Sequence, residues 1–125
     1  MRYYASLGID REDNSGRKCQ TERNFSFFGA PVGLIFSIDR RLKPHSWMDA
    51  QNVMIAAKAR GIDTCPQVSF APFHVAIASQ LHMPPDEVTA FGMSMGYGDP
   101  DAQVNQTGTP RDRVLDFARL LGLPA

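Results

Sequence analysis

A nearly unbroken apolar run from Val32 to Ile38 is the feature that most limits what this chain can fold into. The run lies between Pro31 and Asp39, and its length is typical of a strand rather than a helix. Successive apolar positions are typical of a strand that is covered on both faces of a sheet. We therefore predict a strand over Val32–Ile38 that is buried on both faces.

The rest of the chain alternates between helical and extended patterns. The sequence predicts helices over 10–24, 47–60, 71–81 and 113–121, an extended segment over 62–66, a strand over 88–97 and a polar loop over 98–110. Asp10 is the expected N-cap of the first helix, and Gly61 is the expected C-cap of the second. The aromatic side chains that follow the first helix are expected to pack inward: Phe25, Phe27 and Phe28. Together these patterns predict one domain over residues 1–125, with helices and strands mixed around a small sheet.

The charge balance and the cysteines exclude several classes of protein. Thirteen basic and thirteen acidic residues cancel without forming a block of one sign, so we expect no nucleic-acid partner. Because no apolar stretch approaches about 20 residues and the N-terminus has no signal-peptide pattern, we expect neither a membrane span nor export. Cys19 and Cys65 are too few for a disulfide framework or a zinc site, so free thiols, no metal and a cytoplasmic location are predicted.

Gly92–Gly96 matches the Gly-x-Ser-x-Gly pattern that presents a nucleophilic serine in some hydrolases. That chemistry needs a helix directly after the turn and a histidine later in the chain. Here a loop follows, and all three histidines precede Ser94. The motif is better explained as a strand whose glycines allow close packing, and we predict no serine hydrolase activity.

Other chemically active side chains also have simpler structural interpretations. His74 and His82 have no carboxylate or cysteine at ligand spacing, so we expect histidines on a helix surface. Cys65 has no basic neighbour in sequence that would lower its pKa, so we expect a buried structural cysteine. A pocket for a planar ligand could be lined by Trp47, Met48 and Met54, but we prefer to interpret these residues as part of the helix core.

Four strings of residues occur in an order and spacing that resemble one known family. They are Phe28–Leu34, Gln51–Ala57, Gly61–Gln67, and Gly92–Tyr97 with the Asp-Pro pair at 99–100. Each string is common by itself, but the combination resembles the nitroreductase family over most of the chain. The resemblance implies an α+β sandwich in which helices flank a mixed or antiparallel sheet. It also implies an intertwined homodimer with FMN at the subunit interface, which passes electrons from NAD(P)H to nitroaromatics, quinones or similar electrophilic acceptors.

The resemblance assigns cofactor-binding roles to five residues and no catalytic side chain. Pro66, Gln67, Val68 and Ser69 are similar to the family stretch whose backbone N–H groups approach the flavin ring near N5. Arg111 is similar to the basic residue that contacts the FMN phosphate, a role suited to the planar, charged guanidinium group of arginine.

The chain also departs from the family pattern. It starts about halfway through that pattern, without the N-terminal arginine-and-serine segment that grips the phosphate. About one helical turn is missing between Asp49 and Ala50, and no basic residue lies near 106–108. We therefore expect a truncated or divergent nitroreductase that holds the FMN phosphate weakly. The alternative is a non-catalytic remnant or dimerising binding module that does not retain flavin.

Overall fold

The computed structural model describes residues 2–106, 108, 110–119 and 121–122, with the side chains of residues 2 and 43–49 left out. The helices are α1 (Arg2–Ser6), α2 (Asn14–Glu22), α3 (Ser46–Lys58), α4 (His74–Leu81) and α5 (Val114–Phe117), and the strands are β1 (Val32–Asp39), β2 (Asp63–Gln67) and β3 (Glu87–Gly96). Three 3₁₀ helices connect them, at Arg23–Gly29, Arg40–His45 and Val68–Phe73. The predicted helix over 47–60, the extended segment over 62–66 and the strand over 88–97 are confirmed.

The three strands form one antiparallel sheet in the order β1-β3-β2. β3 therefore lies in the centre, and its residues 91–94 are all buried. β1 lies at an edge of the described sheet and contains no buried residue, with Val32 44% exposed. The prediction that Val32–Ile38 is buried on both faces is wrong, because β3 rather than β1 takes the position with a neighbouring strand on each side.

Helix α3 covers one face of the sheet. Its Ala50 packs with Phe91 and Met93 of β3, and both β3 side chains are completely buried. Phe36 of β1 stacks on Phe91 with ring centroids 4.5 Å apart. Burying one such large apolar side chain contributes about 1.5–3 kcal/mol, so this layer is a main source of stability. Met54 packs against the same cluster, which confirms the core interpretation for it, whereas the side chains of residues 47 and 48 lie outside the described part.

A β-bulge in β3 changes which side chains face α3. Phe36 pairs with Phe91 and Ser37 pairs with Thr89, so Ala90 has no partner across the strands. An extra residue in one strand breaks the alternation of side chains between the two faces. Ala90 accordingly packs with the α3 cluster, while Thr89 contacts His74 at the start of α4. The bulge thus allows β3 to pack against the α3 cluster through Ala90 and to contact α4 through Thr89.

The first predicted helix is wrong at both ends. α2 begins after Asp13, whose Oδ1 accepts a hydrogen bond of 2.8 Å from the Gly16 N–H, so Asp13 rather than Asp10 is the cap. The helix ends at Glu22, and the following 3₁₀ segment is kinked where Phe27 and Phe28 adopt φ of 51° and 55°. Bulky residues rarely adopt this left-handed conformation, so the packing of the segment must compensate for its strain.

The two later helices are shorter than predicted. α4 begins at His74 because residues 71–73 belong to the preceding 3₁₀ helix, which contains Pro72. α5 spans only Val114–Phe117 of the predicted 113–121, part of which lies outside the described residues. Where residues 98–110 are described they form turns and coil, as predicted.

Candidate functional site

The structure brings Pro66, Gln67, Val68 and Ser69 together where β2 passes into a 3₁₀ helix. Pro66 pairs with Met93 on an edge strand, a position where a proline is tolerated in a sheet. Val68 is 54% exposed and begins the 3₁₀ helix Val68–Phe73, whereas Ser69 is half-buried. The side chain at Val68 therefore reaches solvent while the residues on either side are held by the fold.

Phe70 anchors the segment from behind. It is buried, stacks on Phe27 with centroids 4.8 Å apart, and meets the edge of Phe25 at 5.6 Å. Its ring lies directly on Gly92 of β3, where an added Cβ would come within 2.6 Å of the ring carbon Cε2. Gly33 on the neighbouring strand lies against the Phe27 ring in the same way, with a Cβ there 2.6 Å from Cζ. The two glycines thus form a flat floor for the stacked rings, and the interpretation of Gly92 as a close-packing residue is confirmed.

Gln67 holds the segment through its side chain, which is only 3% exposed. Its Nε2 donates to the backbone carbonyl of Asn24 at 2.9 Å and lies 3.4 Å from the Asn24 Oδ1. A carbonyl can only accept, so this contact fixes which end of the amide faces Asn24. The other end, Oε1, is buried and has no hydrogen-bond partner among the described residues. Sequence reasoning missed this side-chain role, since it assigned Gln67 through its backbone alone.

The first turn of a 3₁₀ helix presents N–H groups that have no partner within the helix. Val68 and Ser69 occupy that turn, and the apolar side chains at the two ends of the same 3₁₀ helix, Val68 and Phe73, are 54% and 52% exposed. Backbone donors beside apolar surface suit a flat heterocycle that carries acceptor atoms, because such sites combine hydrophobic lining with a few placed polar groups. The residues present therefore fit the ring of a flavin.

Arg111 lies elsewhere in the chain, in the exposed coil just before α5. Its Nη1 donates to the Pro110 carbonyl at 3.2 Å. The phosphate-binding role that the resemblance gives to Arg111 stays a prediction, as do the flavin-binding roles of the other four residues.

Ser94 lies within β3, two residues before the strand ends, and donates to the Cys65 carbonyl at 3.3 Å. A buried serine that continues a strand is not at a nucleophile turn, which confirms the structural interpretation of the motif. Cys65 itself is exposed, so the prediction of a buried cysteine is wrong. Partial desolvation still raises the pKa of the Cys65 thiol, and the contact with Ser94 opposes this only in part. The expectation that the thiol is not activated therefore agrees with the structure.

His74 is not a helix-surface histidine, contrary to the prediction. It is half-buried, its Nδ1 accepts from the Thr89 N–H at 3.2 Å, and its Nε2 lies 3.1 Å from the Arg40 Nη2. These contacts join α4 to β3 and to the end of β1. His82 is exposed and ends α4 in the left-handed conformation, as expected for a surface position.

Within the described part of the chain, no helix has both the length and the apolar character needed to span a bilayer. In the same residues no group of three or more histidine, cysteine or acidic side chains could hold a metal ion.

An antiparallel sheet with helices packed against it defines an α+β protein, and comparison with known proteins identifies its family. The profile of the Nitroreductase family matches residues 5–97. This chain belongs to the nitroreductase family.

Two related sequences and two solved structures illustrate the relationship. The chain is 44% identical to a 4-nitrobenzoate reductase of Pseudomonas putida over 96% of its own length and 55% of that protein. It is 43% identical to a chloronitrobenzene nitroreductase of Comamonas testosteroni, covering 88% of this chain and 50% of the relative. The chain thus spans about half the length of these curated relatives.

The fold matches a solved FMN and NADPH-dependent nitroreductase NfnB from Sphigopyxis sp. strain HMH with a TM-score of 0.85 and 32% identity, over 98% of this chain and 56% of that one. It also matches the FMN-dependent nitroreductase NfnB of Mycobacterium smegmatis, solved in complex with NADPH, with a TM-score of 0.83 and 28% identity, over 95% and 55% of the two chains. The predicted α+β nitroreductase-like fold is therefore confirmed.

Proposed function

We propose that this protein acts as an FMN-dependent oxidoreductase of nitroreductase type, which transfers reducing equivalents from NAD(P)H to nitroaromatic, quinone or related acceptors. The observation that carries the proposal is the first turn of the 3₁₀ helix Val68–Phe73. In a chain that belongs to the nitroreductase family, this turn combines backbone donors that have no partner within the helix with exposed apolar side chains. The names of the relatives support a reductase, and nothing in them favours a non-catalytic remnant.

The residues of this chain have distinct roles in the proposal. The N–H groups of Val68 and Ser69 orient the flavin ring, Pro66 fixes the backbone that leads into them from its place opposite Met93 in β3, and Arg111 neutralises the phosphate. When bound, FMN supplies the hydride chemistry, and the protein supplies the orientation and the hydrogen bonds that adjust it. No ionisable side chain is assigned a proton-transfer step.

The proposal extends to the assembly and the compartment. Family resemblance favours a homodimer, and the exposure of Val75, at 82%, and of Leu81, at 56%, leaves apolar side chains of α4 available to a partner. Two free cysteines, both exposed, favour the reducing environment of the cytoplasm.

A single backbone donor can be deleted to test the flavin assignment. Proline is tolerated in the first turn of a helix, and Gln67 already has the extended conformation, φ −133° and ψ 99°, that a following proline favours. Val68→Pro should therefore keep the fold but remove one N–H. One lost hydrogen bond is worth about 0.5–1.5 kcal/mol, so FMN affinity should fall roughly twofold to twelvefold. Val68→Ala, which keeps the N–H, is the matched control.

Flavin fluorescence during FMN titration measures the affinity, and NADPH oxidation with 4-nitrobenzoate or a quinone measures turnover. Equal affinities of the proline and alanine variants would reject the role of this donor. A folded protein that takes up no FMN would reject the flavoenzyme.

A further inference from the structure

We infer that the Gln67 side chain is a positioning residue, which fixes the flavin-facing backbone at Val68 and Ser69 by tying it to the Asn24 carbonyl. This inference rests on the proposed function for its link to flavin, but its structural claim can be tested without any cofactor. It differs from a cofactor contact because the side chain acts through the backbone that follows it.

The hydrogen bond from Gln67 to Asn24 joins two parts of the chain that are 43 residues apart. Asn24 lies just beyond α2, and its own Nδ2 donates to the Thr21 carbonyl at 2.8 Å, so the acceptor is itself held in place. From Asn24 the chain continues through Phe25 and Phe27, whose rings contact Phe70 on the other side of the segment. The N–H groups of Val68 and Ser69 therefore lie between two fixed points, Gln67 and Phe70.

Burial decides how Gln67 acts. With the residue 3% exposed and Oε1 sealed from solvent, a bound molecule cannot reach the amide without displacing the segment. Oε1 has no partner among the described residues, and an unsatisfied buried acceptor is costly. A residue kept for stability alone would be better as an apolar side chain of the same length. The amide is therefore explained by what its Nε2 donates to Asn24, chiefly the 2.9 Å bond to the backbone carbonyl.

Because Nε2 has a hydrogen-bond partner and Oε1 has none among the described residues, a substitution can separate the positioning role of Gln67 from its effect on stability. Gln67→Met keeps the length of the side chain, removes the bond to Asn24 and also removes the unsatisfied oxygen. These two effects on global stability oppose each other, so the urea midpoint should change little. Locally, the loss of one hydrogen bond should make amide hydrogen exchange in segment 67–73 about fivefold faster. Gln80→Met, on the exposed surface of α4, is the matched control and should alter neither quantity.

A conservative variant adds a readout that lost packing cannot produce. The neutral acid in Gln67→Glu has a hydroxyl where Nε2 stands and can donate to Asn24, whereas the carboxylate cannot. Burial raises the pKa of a carboxyl group. The ratio of exchange rates in segment 67–73, variant to wild type at the same pH, should be near one at pH 5 and well above one at pH 8.

Hydrogen-exchange mass spectrometry of the whole chain without FMN, followed by FMN titration of the same proteins, completes the experiment. Faster exchange in Gln67→Met at an unchanged urea midpoint, with recovery of Gln67→Glu at pH 5, supports the inference. Exchange in segment 67–73 that is unaffected by Gln67→Met overturns it, whatever the flavin result. If the exchange results hold but wild-type protein takes up no FMN, the proposed function fails, while the structural claim that Gln67 fixes the following backbone still stands. If FMN binds wild type, Gln67→Met should bind it at least threefold more weakly, and equal affinity would overturn the positioning role.

Discussion

Gly92→Ala is the substitution whose cost can be worked most directly from the structure. The new Cβ would lie 2.6 Å from Cε2 and 3.1 Å from Cγ of Phe70, so the ring must move out of its stack. Overpacking of this kind costs about 1–3 kcal/mol. Replacing a glycine within a strand by alanine returns about 0.5–1 kcal/mol through the unfolded chain. The two ranges give a net destabilisation of about 0–2.5 kcal/mol, and because the overlap with the ring is severe we expect about 1–2 kcal/mol, measured by urea unfolding followed by circular dichroism.

A double-mutant cycle tests the stated cause. Phe70→Ala alone should cost about 3–5 kcal/mol through lost burial and the cavity left behind, but it removes every ring atom that the new Cβ would meet. In that background Gly92→Ala should be nearly neutral, so the double variant is more stable than the sum of the two singles predicts. Gly108→Ala is the control, since a Cβ there meets nothing within 4 Å. Additivity within about 0.5 kcal/mol would show that the two residues are not in conflict and refute the reasoning.

Three further predictions concern single groups. Lys58 and the Gly98 N–H lower the pKa of Asp63, so its stabilising contribution is complete above the unfolded pKa of 3.8 and is lost as the pH falls through the folded pKa. Asp63→Asn should therefore show a smaller loss of stability on acidification below about pH 4 than wild type, and identical acid titrations of the two proteins would contradict this. Cys19 and Cys65 should both react with a thiol reagent in the native protein, with Cys65 slower at pH 7 because its pKa is raised, an order checked with single serine variants. Purified protein should not turn over p-nitrophenyl acetate, and a rapid rate abolished by Ser94→Ala would show a hydrolase that the geometry argues against.

The elements were predictable where local chemistry decides them, and their order in the sheet was not. The apolar run at Val32–Ile38 and the strand over 88–97 were both recognised, but apolar content favoured the first as the buried strand. Burial depends on which strand acquires two neighbours, and that is settled by long-range pairing. The cap of α2 shows the same limit on a smaller scale, because Asp10 and Asp13 have the same capping chemistry and only the path of the chain selects Asp13.

The candidate site shows the limit more clearly. Resemblance pointed to the segment 66–69, which in the structure lies where β2 ends, and its role in binding flavin stays a prediction. The bond from Gln67 to a carbonyl 43 residues earlier, and the fit of Phe70 on Gly92, could not be predicted. Neither contact leaves a periodic signal, because each joins residues from separate elements whose spacing in sequence is arbitrary.

The central position of β3 has a consequence for how the chain is made. Neither β1 nor β2 can pair until β3 is available, because in the described sheet both are hydrogen-bonded to β3 and not to each other. After β2 ends at Gln67, another 29 residues must be added before β3 is complete at Gly96. At about 5–20 residues per second this takes roughly 1.5–6 s, during which two strands have unpaired edges. Sheets that depend on such distant pairings fold slowly and expose strands that can join other chains. Variants that weaken β3 should therefore reduce the yield of folded protein during synthesis more than their effect on the stability of the finished protein would suggest.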